Sequence, residues 1–298
     1  MHPLSKTSLE WHNRKELPLD MKEAQAVQFK QKLYVGAGTA IMTRWDSAVL
    51  YVYTLGANTW NRVDTPVYDF ALATYRSKIV LVGGRKYMHC DPEKIGNITD
   101  ILWTSDSEPD ELSSWQKNGL PCMKVKRCGA SAVGNKDILV VAGGNVSSSE
   151  VEIYDGSQWW MVNQPSGFHA AKSLVLFDEC LYLMSGISIR YTTLVSLKTS
   201  YQSNTDVIWK ELTDIPQQLS WSNLAVFGNR LIVTNGTTTY AYSHITQCWV
   251  HACDTPDDLK LFSACAVGLP SEDLMILGGQ SEMGWKRVIQ VTWKRNSM

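Results

Sequence analysis

The sequence predicts an all-β chain folded as a six-bladed β-propeller, with four antiparallel strands per blade and the last blade closed by the N-terminal strand. Three observations carry this prediction. First, a tryptophan followed five to seven residues later by a proline occurs six times, at Trp11–Pro18, Trp60–Pro66, Trp115–Pro121, Trp160–Pro165, Trp209–Pro216 and Trp249–Pro256. Second, six apolar runs ending in glycine lie between them, at Gly38, Gly84, Gly144, Gly186, Gly236 and Gly279, spaced 46, 60, 42, 50 and 43 residues apart. Six of the twelve tryptophans and six of the ten prolines therefore share one register, which marks an internal repeat. Third, the chain opens on a Trp–Pro unit with no glycine strand before it and ends on a glycine strand plus RVIQVTW (287–293) with no Trp–Pro after it.

Each unit reads as strands. In the first, AQAVQF, KLYVGAG, AVLYVYTL and the segment around Trp60 are short alternating or continuous apolar runs between turn residues, rich in β-branched and aromatic side chains. No window carries a long 3.6-residue period, so the units are expected to be β throughout. Four strands in about 45–50 residues make a propeller blade. The blades then run at about 19–65, 66–120, 121–164, 165–215, 216–255 and 256–298, the last completed by 1–18, all within a single domain spanning 1–298. In such a blade the tryptophans fill the gap to the neighbouring sheet, and the glycines allow close backbone approach. In the third unit Trp159 is as good an anchor as Trp160. Pairing of the Trp11 segment with 287–293 would remove free strand edges and hold the ring shut.

Composition narrows the function classes. Twenty-eight basic residues against twenty-nine acidic ones leave a net charge of −1, with no excess to neutralise a phosphate backbone, so no nucleic acid is expected as partner. A hydrophobic fraction of 44% with 19% charged residues is that of a globular chain rather than a disordered one. The longest apolar runs, Leu174 to Phe177 and Ile138 to Ala142, fall far short of a membrane span. The N-terminal segment shows no apolar signal-peptide core, and no membrane partner is expected. Seven scattered cysteines without a C-x-x-C read as reduced thiols in a cytoplasmic protein. In that setting the sequons at Asn97, Asn145 and Asn235 are chance matches.

The unit resembles the kelch repeat: a strand ending in Gly-Gly, a tyrosine about fifteen residues on, and a tryptophan seven residues after the tyrosine. Tyr53 with Trp60 and Tyr242 with Trp249 have that spacing, and Tyr154 with Trp160 is one residue short. The second unit has Trp103 near the tyrosine position, and the fourth has no clear tyrosine. Ser185–Gly186 and Asn235–Gly236 stand where other units have a glycine pair. The resemblance covers essentially the whole chain and implies a six-bladed kelch β-propeller. It also implies a protein-interaction module that binds a peptide segment of a partner on its loop face. Many kelch propellers are the substrate-recognition part of ubiquitin-ligase adaptors, joined to a cullin through a preceding BTB domain. Here the repeats start by Trp11 and leave no room for that domain. A piece of a larger adaptor and a free-standing scaffold for cytoskeletal partners both stay open. From a different class, the alternative is a kelch-type enzyme acting on a sugar, similar to sialic-acid epimerases.

The signatures G-x-S-x-G, H-E-x-x-H, G-x-x-x-x-G-K-[ST] and G-x-G-x-x-G do not occur. The chain is expected to be no enzyme, with no catalytic residues and no cofactor. His244, Cys248, His251 and Cys253 are metal-capable types within ten positions. On a strand, however, His251 and Cys253 would face one way and Cys248 the other, so no metal site is expected. Recognition is assigned to the loops after the glycine strands (39–47, 85–99, 145–149, 187–191, 280–286) and to loops entering the blades (118–128, 163–170, 214–221). These offer Arg44, Trp45, Arg85, Tyr87, Arg127, Arg190, Tyr191, Trp221 and Trp285, residue types enriched in binding hot spots. Arg127, in KVKRCGASAV, is singled out for gripping a partner's carboxylate bidentately.

Overall fold

Six four-stranded antiparallel sheets follow one another along the chain. They are seen in a computed structural model that describes residues 9–22, 24–36, 39–40, 48–86, 98–117, 119–144, 150–168, 173–216, 223–260, 264–279, 284 and 286–293. Blade one comprises Gln25–Phe29, Lys32–Gly36, Val49–Thr54 and Thr59–Asp64, from innermost to outermost strand. Blade two is Ala71–Tyr75, Lys78–Val82, Leu102–Ser105 and Gln116–Lys117. Blade three is Ala130–Gly134, Leu139–Gly143, Glu150–Tyr154 and Trp159–Asn163. Blade four is Ser173–Phe177, Cys180–Ser185, Ser188–Thr193 and Lys210–Leu212. Blade five is Asn223–Val226, Leu231–Thr234, Thr238–Ser243 and Cys248–Asp254. Blade six takes Cys265–Gly268, Leu274–Leu277 and Val288–Trp293 from the end of the chain and Leu9–Asn13 from its start.

The ring is closed inside and outside. The innermost strand of every blade packs against that of the next, and blade six packs against blade one. At the outer edge, Leu9, Trp11 and Asn13 pair with Trp293, Val291 and Ile289. Arg14 N then donates to Val288 O at 2.9 Å, and Leu17 N to Lys286 O at 2.7 Å. The order of anchors in the sequence therefore does report how the ring closes. Because successive strands are antiparallel, loops alternate between two faces. One face carries the connections from second to third strand and from blade to blade, termed the loop face below. The other carries the tight hairpins and the connections from third to outer strand.

The apolar core is split into six clusters among the described residues, one at each junction between neighbouring blades. This is what a sheet buried on both faces requires, and it accounts for the continuous apolar runs. Each repeat tryptophan lies at the junction with the preceding blade. Five of them also donate an indole N–H to a carbonyl at the end of that blade's outer strand or up to four residues past it. Trp60 bonds Lys15 at 2.8 Å, Trp115 bonds Asp64 at 3.2 Å and Trp159 bonds Pro121 at 2.8 Å. Trp209 bonds Asn163 at 2.9 Å, and Trp249 bonds Thr213 at 2.8 Å. A buried or half-buried indole thus fills the gap and satisfies its single donor. The choice left open in the third unit falls on Trp159: it pairs directly across from Tyr154, as Trp60 does from Tyr53 and Trp249 from Tyr242. Trp160 faces blade four instead and stacks on Tyr201 at 5.3 Å.

The glycines act as the repeat demands. Gly84 has φ +91°, and a Cβ there would sit 2.7 Å from Tyr68 O. Gly268, in an inner strand, is needed for space alone, since a Cβ would fall 1.9 Å from Val226 O of the neighbouring blade.

Two expectations are corrected. Blade four is not β throughout, because a helix, α1 (Leu194–Ser203), links its third and outer strands. Thr193 caps its N-terminus by accepting from Ser196 N, and Asn204 in the left-handed region ends it. Leu197 and Tyr201 bury one side against blade three. Ten residues give too few turns for a legible period, and the helix accounts for the long link to Trp209. Among the described residues no helix is long and apolar enough to cross a membrane. Second, the outer strand of blade five does not alternate evenly. A bulge opposite Thr239 and Tyr240 leaves His251 exposed but Ala252 and Cys253 both buried. His251 accordingly does not share a face with Cys253; its ring bonds Asp254 Oδ1 at 2.9 Å.

Candidate functional site

The inner strands enclose a channel of about 420 Å³. All residues that line it, among those described, are uncharged. An inner strand has one free edge, and its backbone groups must find partners. Polar side chains at the loop-face ends of these strands supply them. Gln25 accepts from Leu72 N of blade two at 3.0 Å and donates to Ala130 O of blade three at 2.7 Å, so its amide links three blades. Asn223 Nδ2 donates to Ala264 O at 2.7 Å, and Leu224 N donates to Ser173 Oγ at 3.3 Å. Cys265 is buried on the same wall, and burial pushes its thiol up to about 12 even though a bond with the Ala26 backbone opposes the shift.

Above the channel the loop face is strongly internally wired. Arg127 is fully buried, and its guanidinium donates to Glu152 Oε1, Gly143 O and Glu150 O, each at 2.9 Å. Glu152, also fully buried, accepts Lys124 N on its other oxygen at 2.7 Å. Arg127 does grip a carboxylate, but that of its own chain. With every contact spent inside and no exposure it offers nothing to a partner, which corrects its assignment as a binding residue. A buried ion pair of this kind resists the loss of either member, at about 3–5 kcal/mol, because the other charge is left stranded.

The other described candidates are also engaged. Arg85 lies in a short ribbon, Arg85–Lys86 paired with Val67–Tyr68, and contacts Asp69 Oδ2 at 3.3 Å. Arg190 and Tyr191 are not in a loop. Gly186 and Ile187 make a tight turn, and the third strand of blade four already starts at Ser188. Arg190 reaches Glu211 at 3.0 Å and lies over the Phe168 ring at 5.5 Å. Tyr191 stacks on Tyr182 at 5.5 Å within the junction of blades four and five. Arg44, Trp45, Tyr87, Trp221 and Trp285 lie outside the described residues. Exposed side chains that the described part of this face offers include Lys86, Lys124 and Lys126.

Sequence reasoning missed Glu152, Gln25 and Asn223. Glu152 left a signal: a carboxylate between Val151 and Ile153 in a buried strand needs a buried partner. Gln25 and Asn223 left none, since a polar residue at the start of a strand reads equally well as a solvated one. The metal-capable residues of blade five are spread: His251 is exposed, Cys253 is buried between blades five and six, and Cys248 lies near Thr246 Oγ1 at 3.1 Å. Among the described residues no group of three or more His, Cys, Asp or Glu is gathered for a metal.

The sheets, junctions and channel define a closed six-bladed β-propeller. No family model matches the chain, and no curated protein matches it. Among solved structures it is similar to one described as the structure of YjhT, with a TM-score of 0.68 over 95% of this chain and 99% of that one. The two are 12% identical in sequence, so the likeness speaks for the fold alone.

Proposed function

We propose that this chain is a kelch-repeat propeller acting as a protein-interaction module, which binds a peptide segment of a partner protein on the loop face around the channel mouth. The Tyr–Trp pairs directly opposed in blades one, three and five support the kelch assignment. The observation that carries the functional reading is the internal wiring of that face. Arg127, Arg85, Gln25 and Asn223 spend their polar groups holding loops and strand edges in place. A surface fixed before binding loses little freedom when it binds, and binding residues sit on loops held by such scaffolds. The uncharged channel wall suits recognition better than acid–base chemistry on a sugar. Within this reading the partner is recognised for ubiquitin ligation.

The test is affinity capture from cell extract with quantitative mass spectrometry, comparing the wild type with a Trp45→Ala, Tyr87→Ala, Trp285→Ala variant. The expected outcome is loss of a defined partner set, including ligase components, at unchanged Tm. A partner set that survives all three substitutions contradicts the loop-face assignment. Cytoskeletal proteins captured without ligase components would replace the ubiquitin setting with that of a scaffold.

A further inference from the structure

The face opposite the loop face is built around the six tight hairpins that join each first strand to its second, and all six lie within the described residues. Their tips are sorted by charge. Blades one, two and three expose Lys30, Arg76 and Lys136, with Asp137 beside the last. Blades four and six expose Asp178, Glu179 and Glu272. Blade five, between them, turns on Gly228 and Asn229, with the half-buried Arg230 at the foot of the turn. Lys32 and Lys78, at the feet of the first two hairpins, already contact Glu108 and Asp106 in the connection from third to outer strand of blade two. Further out on that connection, Asp110 and Glu111 accept from Ser114 and Ser113. Among the described residues, Lys30, Lys136, Asp178, Glu179 and Glu272 form no ion pair. The hairpin tips are thus positive over three adjacent blades and negative on two of the three opposite.

We propose that this chain pairs with a second copy of itself, hairpin face to hairpin face, about a two-fold axis lying in the plane of contact. An axis through the junction of blades three and four and that of blades six and one exchanges blade one with six, two with five and three with four. Lys30 of each copy then faces Glu272 of the other, and Lys136 faces Asp178 and Glu179, each contact being made twice as two-fold symmetry requires. A face of uniform charge repels its own copy, whereas one divided into opposite halves attracts it and sets the orientation. A second observation fits the same axis. It turns the third-to-outer connection of blade two toward that of blade five, where Leu112 is 52% exposed and Ile245 is 89% exposed. Two large apolar side chains chosen without reference to charge therefore meet across the axis and leave water together. The blade-five connection, His244 to Gln247, carries no carboxylate to oppose Asp110 and Glu111. The two loop faces point away from each other, so the pairing does not depend on what they bind.

The test is sedimentation equilibrium of the full chain and of two charge-reversed variants, run separately and mixed. One variant is Lys30→Glu, Lys136→Glu; the other is Asp178→Lys, Glu179→Lys, Glu272→Lys. All five positions are exposed hairpin residues, so both variants are expected to melt like the wild type. The wild type is expected to associate to the mass of two chains. Each variant alone should associate at least about tenfold more weakly, because like charges then face each other in both halves of the contact. An equimolar mixture of the two should recover the dimer, since each reversed half meets its complement. A wild type that stays a single chain at every concentration overturns the proposal. So do variants that dimerise as the wild type does, or a mixture that stays monomeric. Salt supplies a check that needs no substitution: the wild-type dimer should weaken as ionic strength rises from about 0.05 to about 0.5 M, where exposed charges are screened. A dimer indifferent to salt contradicts a contact sorted by charge.

Discussion

Single side chains in this protein are legible or not according to whether their environment leaves a trace in the neighbouring sequence. The repeat tryptophans do, because the same indole recurs wherever a blade must be joined to its predecessor. Arg127 leaves an ambiguous trace: an arginine at a blade entrance fits a partner's carboxylate and an internal one equally well, and only Glu152, 25 residues away, decides between them. Burial of weak acids gives this scale its own prediction. Burial pushes the Cys265 thiol up to about 12, and burial also raises Tyr34, Tyr53, Tyr75, Tyr182, Tyr201 and Tyr242. For such groups the fold favours the protonated form, while the unfolded chain releases the proton near the ordinary values of about 8.5 for Cys and about 10 for Tyr. Their contribution to stability is complete below about pH 8 and is lost as pH rises toward the folded-state values. Tm should therefore be flat from about pH 7 to 8 and fall steadily above about pH 9, with Cys265→Ala shallower at the onset; a Tm constant to pH 11 contradicts this.

At the scale of elements, strands were legible wherever apolar runs ended in turn residues, and the number of blades followed from the Trp–Pro and glycine anchors. The helix α1 was not, because ten residues with three apolar contacts cannot be told from a loop insertion. The bulge in blade five was likewise hidden: one inserted residue flips the facing of all that follow, and nothing in CWVHACD announces it. The strand that matters most to the whole is Leu9–Asn13. It supplies the outer edge of blade six, buries Leu9, and brings Trp11 against the cluster shared by blades five and six. Removing residues 1–17 takes away that burial, worth about 3 kcal/mol or more for two large apolar side chains, and opens a strand edge to aggregation. A truncated chain should unfold at clearly lower urea concentration than the full chain. Equal midpoints would show that closure does not depend on this strand.

For the whole molecule, the ring was readable because a repeat fold states its architecture several times over, and errors in one unit are outvoted by the others. The surface proposed for recognition was not, because the loops are where the units differ and the repeat gives no guidance. Similarity to the YjhT structure reinforces the ring and adds nothing to the loops at 12% identity. The central claim, that partners are bound on the loop face, is tested most directly by site-specific photo-crosslinking in cells. One crosslinking amino acid replaces exposed Lys86 on the loop face, and another replaces Ile245, 89% exposed in the connection from third to outer strand of blade five on the opposite face. The account predicts a reproducible partner adduct from position 86 and none from position 245. A partner adduct formed from position 245 and absent from 86 would contradict it.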